Sequence, residues 1–142
     1  MNVLIDTNVI LDAMISREPF CKPAQRLFVL AAENKINASI TANCVTDIYY
    51  LMHKHVHDKD KCKQALHKLF ELFSILDVTG ADCEKALESP VSDYEDALLA
   101  TRARRGKVDC IITRNLKDFS HSPVEAKSPD DFLKGTSRTP AI

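Results

Sequence analysis

The chain has 142 residues, 45% of them hydrophobic, which suits one domain with a substantial core and excludes an intrinsically disordered chain. The 19 basic and 20 acidic residues leave a formal charge of -1, so net charge does not indicate a nucleic-acid-binding protein, and any basic surface must be local. No apolar run approaches the roughly 20 residues that cross a bilayer, and the first residues show no signal-peptide pattern.

Five cysteines lie scattered along the chain, without a C-x-x-C pair among them. Most fall at apolar positions of predicted helices and strands, where a thiol behaves as a small hydrophobic side chain. An odd number at irregular spacing differs from a disulfide framework or a zinc ribbon. We therefore expect reduced core thiols in a cytoplasmic protein. The residues are Cys21, Cys44, Cys62, Cys83 and Cys110.

The first predicted element is a buried strand over residues 3–5, which stops at the carboxylate of Asp6. Thr7 and Asn8 follow as cap-forming residues, and an apolar-periodic helix runs to about Met14. Ligands of open α/β sheets bind outside the carboxyl ends of the strands, so Asp6 is placed to line such a site. The alternative is that Asp6, Thr7 or Asn8 only caps the helix.

The middle of the chain alternates predicted helices with short strands. Helices are predicted over residues 23–34, from about 41–46 to 57, and over 62–73, with strands over 36–41 and 75–78. Another helix follows the second of these strands from Gly80.

The last third of the chain contains a helix pattern and then a buried-strand pattern that only Asp109 interrupts. Residues 93–105 predict a helix that Gly106 closes as a C-terminal glycine. Residues 108–113 then predict a buried strand, which is followed by a polar turn at 114–118.

Strands that alternate with helices predict a parallel α/β sheet covered on both faces. Val124 begins a last short strand, and residues 129–133 form a last helical turn. We therefore expect one domain over residues 1–134, with a central sheet of about four or five short strands. Residues 135–142 are expected to form a polar, frayed tail.

Five acidic residues lie where strands end or where a helix can face those strand ends. Each has an ordinary explanation as a helix cap, as a first-turn acid favoured by the helix dipole, or as a turn residue. Two of them, Asp93 and Asp96, are three residues apart and share a helix face. The set is Asp6, Asp47, Asp93, Asp96 and Asp118.

Convergence of these acids would create a repulsion that either protonation or a cation relieves. Two carboxylates about 4 Å apart repel by roughly 4 kcal/mol at a surface-like dielectric. Hard oxygen ligands without a convergent thiolate favour Mg²⁺ or Mn²⁺, and such ions serve several phosphoryl reactions. The acids therefore indicate phosphoryl chemistry, provided that the fold brings them together.

Three ordered motifs stand out along the chain: VLIDTNVILD at residues 3–12, DYEDALLATRA at 93–103 and IITRNLKDF at 111–119. They resemble the PIN domain family, in particular the VapC-like ribonuclease toxins of toxin–antitoxin pairs. The resemblance implies a three-layer fold with a parallel sheet, and RNA cleavage that depends on Mg²⁺ or Mn²⁺. It also implies an RNA substrate, a small antitoxin protein as partner, and a homodimer.

The resemblance also assigns roles to the acids. By position, Asp6 matches the family's first acid, Asp96 the third and Asp118 a fourth. With Asp47 they form the implied catalytic set, and Asp6, Asp93, Asp96 and Asp118 form the implied metal-binding set. Asp47 stands where PIN domains usually carry glutamate, and it is one methylene shorter.

This departure at Asp47 leaves a second hypothesis open, that of a PIN-fold module that binds RNA or a partner with weak or no catalysis. A phosphatase or another Mg²⁺-dependent phosphohydrolase is a third possibility. Asn8, Thr113 and Asn115 are candidate supporting polar residues. Asn8 and Thr113 can position water, although either can simply cap the backbone.

Two basic groups are candidates for phosphate contact. The group nearer the acids is predicted to contribute more to RNA binding, because it follows Asp96 on the same helix or follows the penultimate strand. It consists of Arg102, Arg104, Arg105, Arg114 and Lys117, and the larger contribution is predicted for Arg102, Arg105 and Arg114. The other group lies in the charged loop after the third helix and includes Lys59, Lys61 and Lys63.

His53 and His57 are one helical turn apart and could suggest zinc. The chain lacks an H-E-x-x-H pattern and an evident third ligand, so a solvated helix end is the preferred interpretation.

Overall fold

The computed structural model describes residues 1–137, which form a parallel sheet and the helices that cover it. The strands are β1 (Asn2–Ile5), β2 (Asn37–Thr41), β3 (Ser74–Leu76), β4 (Cys110–Ile112) and β5 (Ala126–Lys127). The helices are α1 (Thr7–Met14), α2 (Cys21–Ala32), α3 (Ala42–Val56), α4 (Lys59–Leu72), α5 (Gly80–Ala86), α6 (Tyr94–Arg105) and α7 (Pro129–Ser137). A 3₁₀ turn over Leu116–Phe119 follows β4.

The five strands are all parallel and lie in the order β3-β2-β1-β4-β5. In β1, Val3 pairs with Ala38 of β2 on one side and with Cys110 of β4 on the other. Because the strands are parallel, their carboxyl ends meet at one edge of the sheet, with the ends of β1 and β4 side by side. This arrangement confirms the predicted α/β fold class.

The apolar runs of the strands are explained by burial on both faces of the sheet. Val3 and Ile5 pack into one hydrophobic core, and Leu4 between them packs into a second core on the opposite face. In β4, Ile112 joins the first core and Ile111 the second. The sheet is thus the middle of three layers, as predicted.

Several element boundaries differ from the predicted ones for local reasons. The second helix begins at Cys21, which places Pro23 in the first turn, where the missing N–H of proline costs no helical hydrogen bond. The last helix continues to Ser137, beyond the single turn predicted over 129–133, and the buried side chain of Phe132 anchors it. Residues 135–137 are therefore helical, and residues 138–142 of the expected tail lie outside the described residues.

Gly106 follows α6 as predicted, but for a different reason. Its φ is -84°, so the backbone there does not require glycine; Lys107 takes the left-handed conformation with φ 54°. A Cβ on residue 106 would lie 2.7 Å from Nη1 of Arg102. Glycine is therefore favoured at this position because the Arg102 side chain lies close to the backbone and leaves no room for a Cβ.

Among the described residues, no helix combines the length and the apolar character that crossing a membrane requires. All five cysteines are free thiols, and four of them are buried.

Candidate active site

Asp6 lies directly after β1, and its side chain is held from several sides. One carboxylate oxygen accepts the backbone N–H of Thr7 at 2.8 Å, and the other accepts the hydroxyl of Thr113 at 2.8 Å. The residue is 9% exposed, and burial raises its pKa, although the two hydrogen bonds and the charge of Arg114 oppose this rise. Asp6 therefore caps α1 and also presents a carboxylate at the sheet edge.

The start of α6 brings a second pair of acids to the same place. Asp93 caps the helix by accepting the N–H of Asp96 at 3.0 Å. Asp96 itself is 9% exposed, and its pKa is raised to about 7. Burial is the largest cause, followed by the charges of Asp6, Asp93, Asp118 and Glu95. The fold thus brings Asp6, Asp93, Asp96 and Asp118 into electrostatic contact.

Glu95 is an acid of this cluster that the sequence analysis did not select. Glu95 is exposed, yet partial desolvation raises its pKa, and so do the nearby carboxylates of Asp47, Asp6 and Asp93. Asp47 is exposed in the second turn of α3, and its effect on Glu95 places it at the border of the cluster. The sequence feature that could have identified Glu95 is its position in the acidic first turn of α6, between Asp93 and Asp96.

The loop after β4 supplies the remaining predicted residues. Thr113 donates to Asp6 and accepts the backbone N–H of Asn115 at 3.0 Å, so one hydroxyl ties the loop to the acid. Asp118 is exposed in the 3₁₀ turn. Asn8 places its side-chain nitrogen 3.5 Å from Asp6, while its buried Oδ1 has no hydrogen-bond partner within the described residues.

The donor set of this cluster suits a hard divalent cation. Its convergent side chains offer carboxylate and amide oxygens, which are the ligands that Mg²⁺ and Mn²⁺ prefer. Cation binding would also offset the repulsion that raises the pKa of Asp96. These oxygens match a hard cation in chemical type, but among residues 1–137 no group of three or more His, Cys, Asp or Glu side chains is arranged so that it could hold a metal ion.

The arginines predicted to contact RNA have partners within the protein. Arg102 is 7% exposed and donates from Nε to the carbonyl of Asp77 at 2.6 Å and from Nη2 to the Asp77 carboxylate at 3.1 Å. Arg105 binds both carboxylate oxygens of Asp82 at 2.8 and 2.9 Å. These contacts give both side chains a structural role, and their contact with RNA stays a prediction.

Arg114 and Lys117 lie in the segment that follows β4, and the charge of Arg114 reaches Asp6. Arg114 binds the buried carboxylate of Asp12 through Nε at 2.6 Å and Nη2 at 3.2 Å. Its guanidinium carbon lies 4.0 Å from the ring centroid of Phe20. Lys117 is exposed. Their roles in RNA binding also stay predictions.

The comparisons with known proteins agree with this arrangement. The family model described as PIN domain matches residues 2–117. No curated protein sequence is significantly similar to the chain.

Three solved structures illustrate the similarity of fold. VapBC2 from Rickettsia felis, bound to a DNA fragment from its promoter, has a TM-score of 0.67 and 18% identity, covering 90% of this chain and 98% of that one. A toxin–antitoxin complex from Klebsiella pneumoniae has a TM-score of 0.64 and 22% identity, covering 89% and 97%. VapC20 from Mycobacterium tuberculosis, described as a toxin that cleaves the sarcin–ricin loop, has a TM-score of 0.65 and 14% identity, covering 87% and 98%.

Proposed function

Because the chain belongs to the PIN domain family, we propose that it is a metal-dependent endoribonuclease and the toxin of a type II toxin–antitoxin pair. The observation that carries this proposal is the cluster of carboxylates at the ends of β1 and β4 and the start of α6, where Asp96 has a pKa of about 7. The structurally similar toxin–antitoxin complexes and the RNA-cleaving toxin support it.

In this proposal, Asp6, Asp96 and Asp118, with Asp93 beside them, hold Mg²⁺ or Mn²⁺, and Asp47 contributes from the border of the cluster. When bound, the cation polarises the phosphodiester and promotes attack by water. Asp96 must lose its proton to serve as a ligand, so the pKa of about 7 favours metal binding at neutral and higher pH.

The supporting residues hold the acids and the substrate. Thr113 orients Asp6 through its hydroxyl, and it also fixes the backbone of Asn115 at the start of the loop that carries Asp118. The free Oδ1 of Asn8 is an acceptor for water or for a 2'-hydroxyl of the RNA. Lys117, exposed on the loop between Asn115 and Asp118, is available to contact a phosphate.

The test is cleavage of a panel of RNAs by the purified protein in Mn²⁺, Mg²⁺ or EDTA. We expect cleavage with either metal and none in EDTA, and Asp6→Asn should lose most of the activity. Asp60→Asn, an exposed acid at the start of α4, is the matched control and should cleave like the parent. Cleavage that persists in EDTA or in Asp6→Asn would contradict the proposal.

A second candidate is a PIN-fold module that binds RNA or a partner protein with little or no catalysis. The specific observation in its favour is Asp47, which is exposed and shorter than the usual glutamate. RNA that is bound but left intact with every metal would favour this module over the enzyme.

The partner, the assembly and the location belong to the same proposal. Co-expression with a small protein encoded next to this chain should relieve toxicity if that protein is the antitoxin.

Light scattering of the purified chain tests the proposed homodimer. A cytoplasmic location accords with five free cysteines.

A further inference from the structure

A cleft beside the acidic cluster has no part in the chemistry proposed above. It has a volume of about 340 Å³ and lies between the α1–α2 connection, the residue after Thr113 and the start of α7. Its walls combine Phe20 and three prolines with the polar side chains of Arg114, Ser128 and Asp130. This size falls within the range of roughly 300–1,000 Å³ that is typical of small-molecule sites.

The cleft is close to the carboxylates. Arg114 is the neighbour of Thr113, whose hydroxyl donates to Asp6 at 2.8 Å. Ser128 directly follows β5, at the same carboxyl edge of the sheet as Asp6. A polymeric ligand that binds across the acids can therefore place its neighbouring unit in the cleft.

The planar guanidinium of Arg114 forms one wall of the cleft, and its contacts within the protein fix its orientation. Two of its nitrogens bind Asp12, which is 1% exposed and is also bound by Arg17 at 2.8 Å. The guanidinium lies 4.0 Å from the ring centroid of Phe20, which is itself 42% exposed. The cleft thus contains a cationic plane and an aromatic ring whose geometry is set before any ligand arrives.

We propose that this cleft binds one nucleobase of an RNA strand, next to the phosphodiester that the acidic cluster cleaves. The proposal rests on the proposed function and names a subsite for its substrate. Proteins recognise unpaired bases by stacking them on aromatic rings or on arginine guanidinium planes. Because the guanidinium of Arg114 already covers one face of the Phe20 ring, the base would stack on a remaining face of this pair. The positive charge of Arg114 also favours the approach of a polyanion.

The polar wall gives the subsite a preference among bases. The carboxylate of Asp130 only accepts hydrogen bonds, so it favours a base with an exocyclic amino group. The hydroxyl of Ser128 already accepts the backbone N–H of Asp131 at 3.1 Å and can itself donate to a base carbonyl, so it does not discriminate. Adenine, cytosine and guanine carry an exocyclic amino group, whereas uracil does not. We therefore expect amino-bearing bases to bind more tightly than uracil.

The test is binding of short oligo-A, oligo-C and oligo-U to the full chain in EDTA, where the proposed cleavage cannot proceed. Phe20→Ala should weaken oligo-A binding by about 5- to 150-fold, the usual effect of losing one stacked base, whereas Phe20→Tyr should retain it. Tyr50→Ala, which removes a 68% exposed aromatic from α3, is the matched control and should bind like the parent. Asp130→Ala should reduce the affinity for oligo-C to that for oligo-U.

Equal binding by the parent and Phe20→Ala would overturn the subsite, and so would an equal loss in Tyr50→Ala. If Phe20→Ala weakens the binding of a partner protein but leaves RNA binding unchanged, the cleft binds protein, and the RNA subsite is also overturned. If the parent cleaves RNA and Phe20→Ala has the same KM, the proposed function stands and the subsite falls. If the parent neither binds nor cleaves RNA, both fall.

Discussion

Asp96 is buried among like charges, so ionising it is costly for the folded protein in the absence of metal. Burial and four neighbouring carboxylates raise its pKa from the ordinary value of 3.8 to about 7. A carboxyl group in this range changes its charge near neutral pH, which is typical of functional sites. Stability and metal binding are therefore both expected to depend on this one proton.

Asp96→Asn is expected to stabilise the metal-free protein at alkaline pH. The folded-state pKa of Asp96 lies above the unfolded value, so its neutral form favours folding at low pH, and this stability is lost as pH rises through about 7. The free energy of unfolding of Asp96→Asn should exceed that of the parent from about pH 4 upward. The difference should level off above about pH 7, at up to about 4 kcal/mol. Urea unfolding in EDTA across this range measures it.

The control for this experiment is Asp60→Asn at the exposed start of α4, which should show no such pH dependence. A variant of Asp96 that is less stable than the parent at alkaline pH in EDTA would contradict the interpretation.

Asp47 tests whether the shorter acid still serves the site. Asp47→Glu should preserve or increase RNA cleavage, because the added methylene extends the carboxylate from α3. Asp47→Ala should lower cleavage or metal affinity by about 10- to 100-fold, the usual cost of losing an outer partner of a metal site. Rates at several Mn²⁺ concentrations separate the two quantities.

Glu95→Gln measured in parallel shows whether Glu95, whose pKa the charge of Asp47 raises, compensates for the shorter side chain of Asp47. If Asp47→Ala matches the parent in both affinity and rate, Asp47 is only a residue of α3.

At the scale of elements, α6 runs from the acidic cluster at the carboxyl edge of the sheet to the segment between β3 and α5. Its first turn carries Asp96, and its last turn carries Arg102 and Arg105, which bind Asp77 and Asp82. The guanidinium of Arg105 and the hydrogen bonds from Thr79 lower the pKa of the buried Asp82 to about 2. The contribution of this pair to stability is thus present above about pH 4 and lost as pH falls towards 2.

Arg102→Gln should destabilise the protein by about 1–2 kcal/mol, since it removes two hydrogen bonds and the packing of a buried stem. Arg104→Gln, on the exposed side of the same helix turn, is the matched control and should change stability by less than about 0.5 kcal/mol. Chemical denaturation at neutral pH compares them. Equal stability of both variants would mean that the contacts of Arg102 with Asp77 are dispensable.

At the scale of the whole molecule, metal binding should increase the free energy of unfolding. An ion that binds only the folded chain adds about 2.7 kcal/mol when present at 100 times its Kd. Mn²⁺ should therefore raise the thermal midpoint of the parent, and Asp6→Asn and Asp96→Asn should abolish the gain while retaining the fold. An unchanged midpoint in millimolar Mn²⁺ would argue strongly against a metal site in this cluster.

The sequence by itself determined the order of the elements, the fold class and the place of the acids. These properties are encoded locally: an apolar strand that stops at Asp6, a capped helix that starts with Asp93 and Asp96, and a second strand followed by Asp118. In a parallel sheet, such strand ends necessarily meet at one edge. The motifs were also sufficient to identify the family, which the match over residues 2–117 confirms.

Only the tertiary structure decided which partner each charged side chain has. Arg102 contacts Asp77, 25 residues away, and Arg114 contacts Asp12, 102 residues away. Such contacts depend on how elements pack, and an arginine that faces a carboxylate has the same local sequence pattern as one that faces solvent. The proximity of Glu95 to Asp47 and the cleft at Phe20 arise in the same way, because each is formed by segments distant in the chain.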